Sequence, residues 1–221
     1  MPEINSNTND KIYAYKNDPA SLTKVLTIML WISLGVTVIS ILSDFMQLNL
    51  LSGPFTQTEG ESNDARQRAI GGLYLAVFII TGVTFLKWIY RANANCHGFG
   101  VRNMEFSPGW SIGWYFVPIA NLWKPYQAMK ELWNVSQNPI DWKNGKGDPL
   151  IGWWWALWLI SNVLGQIVIR TSMRADSISS LKVSTTASII SGIIDIPLYI
   201  IAVSLITAIF RYQEKLVKGH A

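Results

Sequence analysis

Four long apolar runs constrain this chain more than any other feature. Leu22 to about Met46 holds only Lys24 near its start and Asp44 near its end, and Ala69–Ile89 is uncharged until Lys87. Leu150–Ile169 carries no charge, and Ser184–Phe210 carries Asp195 alone. About 20 apolar residues cross the hydrocarbon layer of a bilayer as a helix, so each run is long enough. Inside lipid the backbone must satisfy its own polar groups, which favours helices for such runs. Only 14% of the residues are charged, against about 25% in a typical soluble domain. The runs therefore predict an all-α integral membrane protein with about four transmembrane helices.

The middle of the chain departs from this pattern. Ser107-Pro108 reads as a helix start, with an N-cap followed by proline at the first helical position. The apolar stretch from Trp110 to Trp123 is only about 14 residues long, and Pro118 cuts it. Runs of that length are more often re-entrant or interfacial than spanning. After Pro125, Leu122, Tyr126, Met129 and Trp133 recur at helical spacing with polar residues between them. Residues 107–136 are thus read as a Pro-broken re-entrant or interfacial helical segment, the alternative being a fifth transmembrane helix. Nine of the eleven tryptophans lie between Trp110 and Trp158. Trp is favoured where lipid meets water, so Trp110, Trp114, Trp123, Trp153 and Trp154 are expected as interfacial anchors.

The polar residues 1–21 read as a mobile cytoplasmic tail, and 22–221 as one multi-pass membrane domain. The first apolar run lacks a small-residue cleavage site, which points to an uncleaved helix. Orientation follows from Lys and Arg. With four crossings, the amino tail, the region 87–149 and the carboxyl tail hold 13 of the 18 basic residues. Five crossings would divide them nine and nine. The four-crossing arrangement with both termini cytoplasmic, in a cell membrane, satisfies the positive-inside bias. The net charge of +4 then reflects basic loops facing anionic lipid rather than nucleic acid.

The strings SPGWSIGWYFVPIANLWKPYQAMKELW (107–133), WWWALWLISN (153–162) and WIYRANANCHGFG (88–100) resemble a bacterial membrane-protein family catalogued as domain of unknown function 4328. The resemblance covers roughly 70–212. It implies a multi-pass membrane protein without an assigned activity and carries over no catalytic residue.

Two candidate sites stand out. Asp195 lies mid-helix, where a carboxylate costs a few kcal/mol on insertion scales and usually faces protein or water. Pro197 frees a nearby backbone carbonyl. Counted from the helix midpoints, Asn162 shares the depth of Asp195, and Gln166 lies one turn further on. These three make a candidate polar site for a proton or cation, weighed against a plain hydrogen-bonded joint between helices. The second candidate is the break at Pro118, Asn121 and Pro125, which lines a cavity or forms a kinked anchor.

Cys96 is the one cysteine, and Cys96-His97 supplies too few ligands for a metal. No catalytic motif, metal or cofactor is expected. Two function classes remain: a non-enzymatic membrane protein of structural, regulatory or partner-binding role, and a small oligomeric transporter or channel using the Asp195 notch. The partners expected are the bilayer, anionic lipids among them, and a second copy or another membrane protein.

Overall fold

The computed structural model describes residues 13–219, so residues 1–12 of the polar tail lie outside the described residues. Six α-helices follow in order: α1 Ala20–Leu51, α2 Gln57–Gly98, α3 Pro108–Gly113, α4 Lys124–Gln137, α5 Pro149–Met173 and α6 Ile178–Lys218. No strand occurs among the described residues. Four of the helices, α1, α2, α5 and α6, are long and apolar enough to cross a membrane. The 42 residues of α2 make a rod about 63 Å long at 1.5 Å per residue, roughly twice the thickness of a hydrocarbon layer.

Local chemistry sets the helix ends. Thr56 and Glu59 cap α2 reciprocally, each side chain bonding the other's backbone N–H, which satisfies two donors that the first turn leaves free. Asp148 caps α5 through the Leu150 N–H at 2.8 Å, with Pro149 at the first helical position, where its missing N–H costs nothing. Ser107 caps α3 in the same way through Trp110.

The four long helices pack side by side in the order α2, α1, α6, α5. Gly192 on α6 lets α1 approach closely: a Cβ there would meet Ile41 Cγ1 at 2.8 Å. At one end of the long helices, α3 lies on α2, and α4 tucks under α6, α2 and α5. The main core sits at that end, built from Leu26, Trp88, Met129, Leu132, Trp154, Leu205 and Ile209. Farther along the row, the outward faces of the long helices remain apolar and exposed, as at Leu42, Phe78, Ile80 and Val163.

The stretch before α1 differs from the expected mobile tail. Asn17 and Asn95 exchange two hydrogen bonds at 3.0 Å each, backbone N–H to amide oxygen and amide N–H to backbone oxygen. Arg91 donates to the Asp18 carbonyl at 3.1 Å, and Tyr13 stands edge-on to Phe99. An unbroken polar sequence gives no hint of this docking, because the partners lie some 80 positions away on α2.

Candidate functional site

Asp195 on α6 is 4% exposed. The Ser161 hydroxyl of α5 donates to its Oδ1 at 2.5 Å, and the Tyr74 hydroxyl of α2 donates to its Oδ2 at 3.4 Å. Side chains from two other helices, α5 and α2, thus meet on one carboxyl group, and Tyr199, one turn along α6, stands beside Tyr74. Each oxygen of this buried carboxyl thus has a donor, as buried polar groups generally do.

The structure corrects the partners expected for it. Asn162 and Gln166 share the depth but not the face. Both are exposed, and Asn162 turns its amide back to the Trp158 carbonyl at 2.7 Å. Each helical residue rotates the side-chain direction by about 100°, so Ser161 takes the place that depth alone gave to Asn162. Neither Ser161 nor Tyr74 is distinctive in sequence, since hydroxyls are common in apolar helices.

A second polar cluster, unexpected from the sequence, lies where α1, α2 and α6 meet at the far end. Gln47 donates to Thr185 at 2.6 Å and accepts from the Asn63 amide at 3.0 Å. Arg66 donates to Asn63 Oδ1 at 2.5 Å and to Ser43 Oγ at 3.0 Å. Gln67 reaches Asp44 Oδ1 at 3.3 Å. The signal lay in α1 itself: Ser33, Thr37, Ser43, Asp44 and Gln47 recur near helical spacing, and all five are buried.

The Pro118–Asn121–Pro125 break is a compact hairpin. A short 3-10 turn at Trp114–Phe116 leads into it, and another at Ala120–Leu122 leads out to α4. Between them the Ala120 N–H donates to the Pro118 carbonyl at 2.8 Å, and Ile119 has φ 69° and ψ −56°. Those values define the rarer, strained hand of the γ-turn. Pro118 and Ile119 are exposed at the apex, Asn121 is half-buried behind it, and Pro125 is buried at the start of α4. Phe116 and Ile119 are each 71% exposed. Behind this apolar tip, Tyr115 wedges between Phe85 of α2 and Trp155 and Trp158 of α5, edge-on to all three. The Trp155 indole donates to the Leu122 carbonyl at 3.0 Å, so α5 supplies a partner for a backbone group that the broken helix leaves free.

The expected tryptophan anchors divide. Trp110, Trp123 and Trp153 are exposed, and Trp114 is half-buried against Trp110, their centroids 4.7 Å apart. Trp154 departs from the expectation. It is 2% exposed and packs on Phe85 and Trp155, because three consecutive tryptophans on a helix cannot all face one way. α4 is likewise buried along most of its length rather than lying open on one face. Its Glu131 accepts the N–H groups of Glu105 and Phe106 at 2.6 and 3.1 Å, pinning the loop that leads into α3. Burial pushes the Glu131 carboxyl above its ordinary range, outweighing the opposing pull of those two N–H groups. Among the described residues, no group of three or more His, Cys, Asp or Glu is placed to hold a metal ion.

No curated protein and no solved structure matches this chain. Residues 54–211 match the family described as Domain of unknown function (DUF4328). The match begins just before the Thr56 cap, takes in α2, the hairpin, α4 and α5, and reaches almost to the end of α6, leaving α1 outside. Covering well over half of the sequence, it shows that the chain belongs to the DUF4328 family.

Proposed function

We propose that the protein is a non-enzymatic, multi-pass membrane protein of structural or partner-binding role. It has four crossings, both termini cytoplasmic, and the 107–123 hairpin re-enters the cytoplasmic leaflet. The observation that carries this reading is the hairpin apex, where Phe116 and Ile119 are held outward on a strained turn. Strained backbone persists where the surroundings over-determine it, and such places cluster at functional sites. Exposed apolar tips of this kind mark a lipid or partner contact. The basic residues 87–149 lie on the same side and favour an anionic leaflet.

Single cysteines at Asn103, Ile119, Gln137 and Lys146, in a Cys96→Ser background, test the path. On this reading 103, 137 and 146 react with an aqueous thiol reagent from the cytoplasmic side only, and 119 does not react. Labelling of 103 and 146 from opposite sides would mean that the hairpin crosses, and the reading fails.

A second reading is passage of a proton or small cation through the Asp195 notch. The hydroxyl groups of Ser161, Tyr74 and Tyr199 around the carboxyl favour it. Proteoliposomes containing wild type or Asp195→Asn decide between the two. Flux that disappears in the variant supports transport, whereas no flux in either folded protein supports the structural joint.

A further inference from the structure

The apolar runs of α2 and α6 hold hydroxyls that turn back on their own helix. Thr84, Thr186 and Ser204 each return their hydroxyl to a carbonyl one turn back, at 2.7–2.9 Å. A hydroxyl bonded in this way leaves no free donor toward a surrounding apolar medium. Asn162 and Gln166 of α5 cannot do the same. An amide has two N–H donors and an acceptor oxygen. Asn162 uses one donor on Trp158, and Gln166 makes no hydrogen bond among the described residues. Both sit within the apolar run of α5, outward from the rest of the molecule.

Their spacing supplies a second observation. Trp155, Leu159, Asn162, Gln166, Ile169 and Met173 follow one another at steps of four, three, four, three and four residues, the repeat of a helix seam that packs knobs into holes. The first part of this seam is already occupied, since Trp155 is buried against the hairpin. The second part is bare: Ile169 is 54% exposed and Met173 83%. Gly165 beside it has nothing within 4 Å of a Cβ position, leaving room for a second helix to come close.

We propose that the Asn162–Gln166–Ile169–Met173 stripe of α5 is a self-association seam, and that its occupant is α5 of a second copy of this chain. Amides carry donor and acceptor together, so a two-fold pair of α5 helices sets Asn162 against Asn162 and Gln166 against Gln166 with both functions satisfied. A buried Asn at a seam position fixes register and number of strands, which favours a dimer over a looser cluster. The apolar run of α2 presents Leu73, Leu75, Phe78 and Ile79 outward and no exposed amide, so nothing there would fix a register. The inference rests on the four-crossing reading, which puts these amides in lipid.

The test uses the full chain in native membranes with Cys96→Ser. Ile169→Cys should form a disulfide-linked dimer under mild oxidation, and Ile160→Cys, on the far side of α5, should not. Adding Asn162→Leu and Gln166→Leu should weaken dimerisation about tenfold, or about 1.4 kcal/mol. Single-molecule photobleaching of the diluted protein in bilayers reads that change independently of cysteine chemistry. Failure of Ile169→Cys to cross-link, equal cross-linking at 160, or undiminished dimer in the double variant overturns the proposal. So does cross-linking of 169 only to a different protein. Resistance of the same chains to carbonate extraction checks the lipid placement separately.

Discussion

Among the described residues, Ile119 is the only β-branched residue with a positive φ. An L-residue in that region pays about 1–3 kcal/mol, and glycine pays none of it. Glycine loses roughly 0.5–1 kcal/mol more backbone freedom on folding, so Ile119→Gly should stabilise the protein by about 1 kcal/mol. An unchanged or lowered melting temperature in detergent would contradict the turn geometry. Glu131 supplies a pH test of the opposite sense to an exposed ion pair. Its folded carboxyl holds its proton to higher pH than the unfolded chain does, so the folded state is relatively favoured at low pH. Stability should fall as pH rises from the unfolded value of about 4.3 through the raised folded one, then level off. Glu131→Gln should flatten that slope in a pH series of thermal melts, whatever it does to stability overall.

Helix α5 shows how far sequence reaches at the scale of an element. Its apolar run and the depth of Asn162 were legible, because an apolar run is a local pattern, although the helix runs on past Ile169 to Met173. The direction Asn162 faces was not legible, since one step along the helix turns the side chain by about 100° and only the packing against α6 fixes the rotation. Likewise the two prolines announced the hairpin. The γ-turn at its apex depends on Tyr115 and Leu122 being held by α5, which no local pattern encodes. The α1–α6 pair offers a direct test. Gly192→Ala drives a Cβ to within 2.8 Å of Ile41 and should cost about 1–3 kcal/mol, as overpacking does. Gly35→Ala, with open space around it, should be neutral or gain up to about 1 kcal/mol from helix propensity. Equal melting temperatures for the two variants would mean that α1 and α6 are not that close.

For the molecule as a whole, the count of long apolar helices and the family followed from sequence, while the packing order α2, α1, α6, α5 did not. Apolar faces look alike from outside, and the contacts that choose neighbours are scattered single polar residues. Gln47, Asn63 and Thr185 are such a set, joining three helices across up to 138 positions of chain. A double-mutant cycle on Gln47→Ala and Thr185→Ala should show a coupling of at least about 0.5 kcal/mol. Strict additivity would mean that the bond between them contributes nothing to choosing the arrangement.

One consequence follows from the unbroken run of α2 from Gln57 to Gly98. A shaft of about 63 Å with no proline to absorb bending ties the Arg66–Asn63 cluster at one end to the docked Asn17 at the other. Pivoting that shaft by about 5° about its middle swings each tip sideways by about 3 Å, enough to break the hydrogen bonds at both tips together. On a stiff α2 the two ends are therefore expected to loosen together, read as hydrogen exchange that rises jointly around Asn63 and Asn95.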